Sequence, residues 1–162
     1  MSPRAPGTAQ AHFGSESEEH MAAATTVKIT IPSEVRLVDL VHEASQKMAE
    51  LAGFEEGDAL NVGIAVREAV INAIVHGNQR DPSRNVNVTL EAGESGVKAS
   101  VLDHGQGFDV DATPDPRKGD NLLKTSGRGL LMIRAFVDKV AFRYLEGRGL
   151  EITLEKEKRT PS

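Results

Sequence analysis

Apolar residues recur along this chain with two periods, and the places where one gives way to the other sketch the elements. From Thr26 to Ile31, Val27, Ile29 and Ile31 alternate with Lys28 and Thr30, which predicts a half-buried strand. Pro32-Ser33 ends it, and Ser33 is a candidate helix cap. Leu37, Val41, Ala44, Met48 and Leu51 then recur at helical spacing, with Arg36, Asp39, Glu43, Gln46, Lys47 and Glu50 mostly opposite. Gly53 is the natural stop for this amphipathic helix.

The next run, Ala59 to His76, contains no Pro and only one Gly, Gly63. It predicts a helix, with Gly57 and Asp58 as turn and N-cap and Gly77 as the stop. Nearly every position is apolar, so the helix should be covered on more than one side. Glu68 and Asn72 break that pattern, and four residues of spacing places them on one face. A carboxylate and an amide on an otherwise apolar helix need a ligand, a metal or a polar network, because unpaired burial is costly. His76 lies one further turn along and is expected to favour the C-terminal carbonyls. His12, His20 and His42 read as tail or surface residues.

Asp81-Pro82-Ser83 predicts a turn. Val86, Val88 and Leu90 alternate with polar neighbours, Gly93-Glu94-Ser95-Gly96 reverses the chain, and Val97 to Leu102 returns, which together predict a β-hairpin. Asp103-His104-Gly105-Gln106-Gly107-Phe108 follows, and then a long polar loop from Asp109 to Thr125. Loops of that length inside compact domains are usually functional or disordered. Ser126-Gly127-Arg128-Gly129 opens a last helix, and Lys139 to Tyr144 and Leu150 to Leu154 form a second hairpin around Glu146-Gly147-Arg148-Gly149. The order β-α-α-β-β-loop-α-β-β predicts an α+β fold: a two-layer α/β sandwich with about three helices on one face of a mixed, mostly antiparallel sheet. Residues 26–156 are assigned to this domain, 1–25 to a disordered or appended tail and 157–162 to a charged tail.

Composition narrows the chemistry. The chain has 162 residues, no Cys and no Trp, so disulfides and thiolate metal sites are excluded. The lack of Cys fits a cytoplasmic setting. A net charge of −5 gives no general pull toward nucleic acid or anionic lipid. No apolar run is expected to reach the length of a membrane span, and the first 23 residues lack the apolar centre of a signal peptide.

Three short motifs carry candidate chemistry. The Asp103-x-Gly105-x-Gly107 glycines permit close approach to a flat or charged ligand, and the Asp can accept a hydrogen bond from an amine. Alone, such a motif is more often an ordinary turn. Gly127-Arg128-Gly129 at a helix start offers unpaired N–H groups to an anion, though alone it reads more simply as a loop-to-helix junction. Glu68 and Asn72 alone read as a satisfied polar pair, and no second His or Cys supports a zinc site with His76. Arg117, Lys118 and Lys124 are by default solvated charges.

The ordered set is more specific than its members. E-x-x-x-N on a helix, D-x-G-x-G after a strand, a long polar loop and then G-x-G opening a helix resembles the GHKL ATPase superfamily with its Bergerat ATP-binding fold. Within it, the chain is similar to bacterial anti-sigma-factor serine kinases. Glu68 to Gly77 resembles their N box, Asp103 to Phe108 their first glycine box, and Gly127 to Ile133 their second. The resemblance runs from about Val27 to Leu154. It implies ATP and Mg²⁺ as cofactors, with Asn72 on the ion, Asp103 on the adenine amine, and Gly105 and Gly107 beside base and ribose. It implies a lid from Asp109 to Thr125 whose Arg117, Lys118 or Lys124 reaches phosphate, and Gly127, Arg128 and Gly129 at the phosphates. Glu68 would be the general base. The implied partners are an anti-sigma-factor antagonist carrying the acceptor serine and a sigma factor, with homodimerisation expected and neither direct nucleic-acid binding nor a membrane.

Overall fold

The computed structural model describes residues 24–105 and 127–160. Five strands form one sheet in the order β1-β2-β3-β5-β4: β1 Thr25–Pro32, β2 Asn85–Gly93, β3 Gly96–Leu102, β4 Lys139–Leu145 and β5 Gly149–Glu157. Every neighbouring pair is antiparallel, which is the antiparallel extreme of the expected sheet. Among the described residues, three α-helices, α1 Val38–Leu51, α2 starting at Glu56 and α3 Gly127–Phe136, complete the α+β sandwich.

Period-2 patterning fixes which face is covered. Val86, Val88, Leu90 and Ala92 of β2, Val97, Ala99 and Val101 of β3, and Ile152 and Leu154 of β5 are buried together under the helices. Each such Val or Leu contributes roughly 1.5–3 kcal/mol by leaving water. The opposite face carries Thr89, Lys98, Ser100, Arg143, Glu151 and Thr153 around a shallow, solvent-facing depression.

Helix α2 is the centre of the helical layer and packs on α1, α3 and the sheet, as its all-round apolar pattern requires. It starts earlier than expected. Glu55 is the N-cap position, without a side-chain cap bond, and Asp58 lies within the first turn, where a carboxylate favours the helix dipole. The α-helical part ends at Asn72, and the chain continues as one wide π-turn over Ala73–Gly77. The continuous run Glu56–Gly77 is 22 residues long with hydropathy 1.3, so one segment does reach the length and apolarity of a membrane span, contrary to the expectation. This segment packs on α1, α3 and the sheet.

Two further details differ from the sequence reading. Leu51 is 64% exposed, and Val38, Val41, Ser45, Met48 and Ala49 form the buried face of α1, because that face is rotated toward α2. Ser33 does not cap a helix: it is buried, and its hydroxyl donates to the Arg84 carbonyl at 2.6 Å. Gly53 ends α1 region at φ +94°, a conformation that suits glycine.

Candidate functional site at one pole of the sheet

Strand register decides which ends meet. Pro32 pairs with Asn85, Asn87 with Leu102, and Leu102 with Glu151, so the β1 and β3 C-termini share a pole with the β2 and β5 N-termini. Helix α2 begins at the other pole, where Asp58 faces Lys156 at 3.9 Å, and runs toward this one. Helix α3 runs the opposite way, since Asp138, just beyond its end, donates its N–H to Glu155 at the far pole. The last turns of α2, the end of β3 and the first turn of α3 therefore point to the same pole. Those are the segments that carry the three motifs.

Glu68 and Asn72 sit in the closing turns of α2. The Glu68 side chain is about one-fifth exposed and lies 3.7 Å from the Arg67 guanidinium, which also faces Asp39 of α1 at 3.5 Å. Asn72 is 4% exposed, and its Nδ2 is buried without a hydrogen-bond partner among the described residues. An unpaired buried amide costs about 1–3 kcal/mol unless a ligand answers it. The π-turn changes the register beyond Asn72: Asn78 donates its N–H to Ala73 O at 2.8 Å, five residues back. His76, inside this turn, is exposed. Wide turns of this kind are frequent at functional sites.

Asp103 is buried because it continues the inward parity of Val97, Ala99 and Val101 by one more step. Its Oδ1 accepts the N–H groups of Gly105 at 3.1 Å and Leu150 at 3.2 Å. Burial pushes its carboxyl above the usual carboxylate range, and those two N–H groups and His104 oppose the shift. The second oxygen lies over Gly77, so closely that a β-carbon there would overlap it. A β-carbon on Gly105 would likewise overlap the Gly77 carbonyl. The glycine box and the end of α2 are thus in backbone contact.

The third motif opens α3. Arg128 is exposed, while Gly129, Leu130 and Ile133 are buried against the rest of the domain. The first N–H groups of this helix have no intrahelical acceptor and face the same pole, where an anion would be favoured.

A family comparison accounts for all three segments at once: the profile of the histidine kinase-like ATPase domain matches residues 31–156. The chain belongs to that family. Membership in a histidine kinase-like ATPase family implies ATP binding. The ATPase domain is similar to the serine-protein kinase RsbW of Halalkalibacterium halodurans, 29% identical over 134 residues that cover 79% of this chain and 82% of that one. It is also similar to the serine-protein kinase RsbW of Staphylococcus aureus, 27% identical over 137 residues, covering 80% and 85%. A crystal structure of the RsbU and RsbW domains of a Mycobacterium tuberculosis protein superposes with a TM-score of 0.60 at 22% identity. That likeness covers 85% of this chain and 34% of the solved one, and it speaks to the fold alone.

Gly107 and the lid expected from Asp109 to Thr125, with Arg117, Lys118 and Lys124, lie outside the described residues of the ATPase domain. Among the described residues, no group of three or more His, Asp or Glu side chains could hold a metal, so any ion here needs ligands from elsewhere. Three features of the site escaped the sequence reading. Asn78 is fully buried and bonded to three segments. The Leu150 backbone brackets Asp103, accepting its N–H at 3.1 Å as well as donating to it. His42 is half-buried against Gly63 rather than on the surface, with Nδ1 buried and unpartnered among the described residues. Only an Asn directly after a helix-ending Gly hinted at the first, and nothing local marked the other two.

At the far pole, Phe54, Asp58, Glu94, Lys98 and Lys156 help line a groove of about 1200 Å³. It holds none of the motif residues.

Proposed function

We propose that this chain is an ATP-dependent protein-serine kinase of the anti-sigma type. It transfers the γ-phosphoryl group to a serine of an antagonist protein and also sequesters a sigma factor. The reading rests on the family, on relatives named as serine-protein kinases, and on one observation above all. Asn72 carries a buried, unpartnered amide one helical turn from a half-buried Glu68.

The amide suits a hard cation. Turning it by 180° exchanges nitrogen for oxygen, so the unpartnered position can present an acceptor. A magnesium ion bound with nucleotide takes only one or two protein oxygens and fills its shell with phosphate and water, which matches a site with a single such ligand. When bound, it supplies charge neutralisation among the phosphates.

The chain's own residues do the rest. Asp103, held by the Gly105 and Leu150 N–H groups, presents its second oxygen to the adenine amine. The N–H groups at the start of α3 face the phosphates. Glu68 accepts the proton of the attacking serine hydroxyl as its oxygen bonds to the γ-phosphorus and the bond to the ADP oxygen breaks. Arg117, Lys118 or Lys124 is assigned to the phosphates on the family resemblance.

One observation favours a second reading, a nucleotide-binding interaction module without transfer: Arg67 stands beside Glu68 and engages its carboxylate. Incubation with γ-labelled ATP and candidate antagonist proteins separates the two. Label on an antagonist serine is expected, and nucleotide binding with no transfer to any candidate would favour the module.

A further inference from the structure

Asn78 joins four strand and helix ends through one side chain. Its Nδ2 donates to the Ser33 hydroxyl at 2.9 Å and to the Asn85 carbonyl at 3.0 Å, while its Oδ1 accepts the His104 N–H at 2.8 Å. Ser33 follows β1, Asn85 starts β2, His104 lies in the glycine box, and Asn78 itself closes the π-turn after α2. The side chain is 0% exposed, so these three hydrogen bonds satisfy amide atoms of Asn78 that burial would otherwise strand. The two residues that follow, Gln79 and Arg80, both take positive φ, 52° and 57°. Left-handed backbone at two consecutive non-glycine residues persists only where its surroundings hold it.

The consequence reaches Asp103. His104 is its direct neighbour, and the Gly105 N–H that follows is one of the two donors that orient the Asp103 carboxylate. Fixing the His104 N–H therefore fixes the peptide between the carboxylate and its donor. The other donor, Leu150, belongs to the β4–β5 hairpin and is independent of Asn78. The bracket has two sides, and Asn78 controls one.

We propose that Asn78 is a positioning residue for adenine selection, holding the Asp103–Gly105 backbone so that the Asp103 carboxylate faces the base. This rests on the ATP reading above.

The test titrates the full chain with Mg·ATP and Mg·ITP, in which a carbonyl oxygen replaces the exocyclic amine, and takes the ratio of the two dissociation constants. Asn78→Ala should lower the ATP preference by roughly tenfold, the size of one misplaced hydrogen bond to a charged group. Asn78→Asp keeps an acceptor for the His104 N–H and should restore most of it. Ser33→Ala removes a network partner without touching His104; it should lower stability and leave the ratio unchanged. Asn78→Leu fills the same space without an acceptor, and carries the test if Asn78→Ala does not fold. In the wild type, the His104 amide should rank among the slowest to exchange with solvent. A wild type that does not bind ATP removes the site and this role together. ATP binding with an unaltered ratio in a folded Asn78→Ala or Asn78→Leu, or a rapidly exchanging His104 amide, overturns the role alone.

Discussion

The carboxylate of Asp103 occupies the space that a β-carbon on residue 77 would need. Two motifs that lie far apart in the chain thus meet with no side chain between them. Gly77→Ala tests that contact directly. Its φ requires no glycine, so the variant acts through crowding alone. Stability should fall by about 1–3 kcal/mol, as overpacking does, and ATP affinity should fall with it as the carboxylate is displaced. Thermal unfolding and nucleotide titration of the same sample read both. An unchanged protein would show that Asp103 moves aside at no cost.

Burial gives Asp103 a pH signature. Its carboxyl titrates above 3.8 in the folded chain, chiefly through desolvation. The folded state therefore holds this proton more tightly than the unfolded one. The associated stabilisation is complete below the unfolded value and is lost as pH rises through the higher folded value. Asp103→Asn lacks that titration. The stability of wild type minus that of Asp103→Asn should decrease as pH rises from about 4 and then level off. Denaturant unfolding across acidic pH measures it, and a flat difference would remove the burial effect.

Asn72 and structure-building amides should behave differently on truncation. Its Nδ2 has no partner to strand, so Asn72→Ala should change stability by less than about 1 kcal/mol. Affinity for ATP in the presence of Mg²⁺ should nevertheless drop, and the gain in affinity that Mg²⁺ produces should shrink. Titrations with and without the ion show this. A full Mg²⁺ effect in the variant would place the ion elsewhere.

Glu68→Gln separates binding from chemistry. The amide keeps the shape of the side chain but cannot take a proton. ATP affinity should be retained, while phosphoryl transfer to an antagonist serine should fall by roughly 10²–10⁴-fold, the usual contribution of a general base. Undiminished transfer would exclude Glu68 from that role.

Much of this architecture was legible because it is written in local periods. The alternation of Val86, Val88 and Leu90 set a strand and its inward face, and the same parity carried on through Val101 to Asp103. The uniformly apolar α2 announced its coverage on several sides. What stayed hidden depends on long-range partners. The π-turn after Asn72 has no period of its own. Asn78 gains its meaning from Ser33 and His104, 45 and 26 residues away. Leu51 satisfies the helical spacing yet is exposed, because the packing angle of α1 on α2, not spacing, chose the buried stripe.

The central claim is that nucleotide binds where α2 ends, β3 ends and α3 begins. Backbone amide resonances of the full chain, followed as Mg·ATP is added, test it most directly. The account predicts saturable shifts concentrated at Glu68 to Asn78, Asp103 to Gly105 and Gly127 to Leu131, with little change at Phe54, Lys98 or Lys156 around the opposite groove. Shifts confined to that groove, or none at saturating nucleotide, would contradict it.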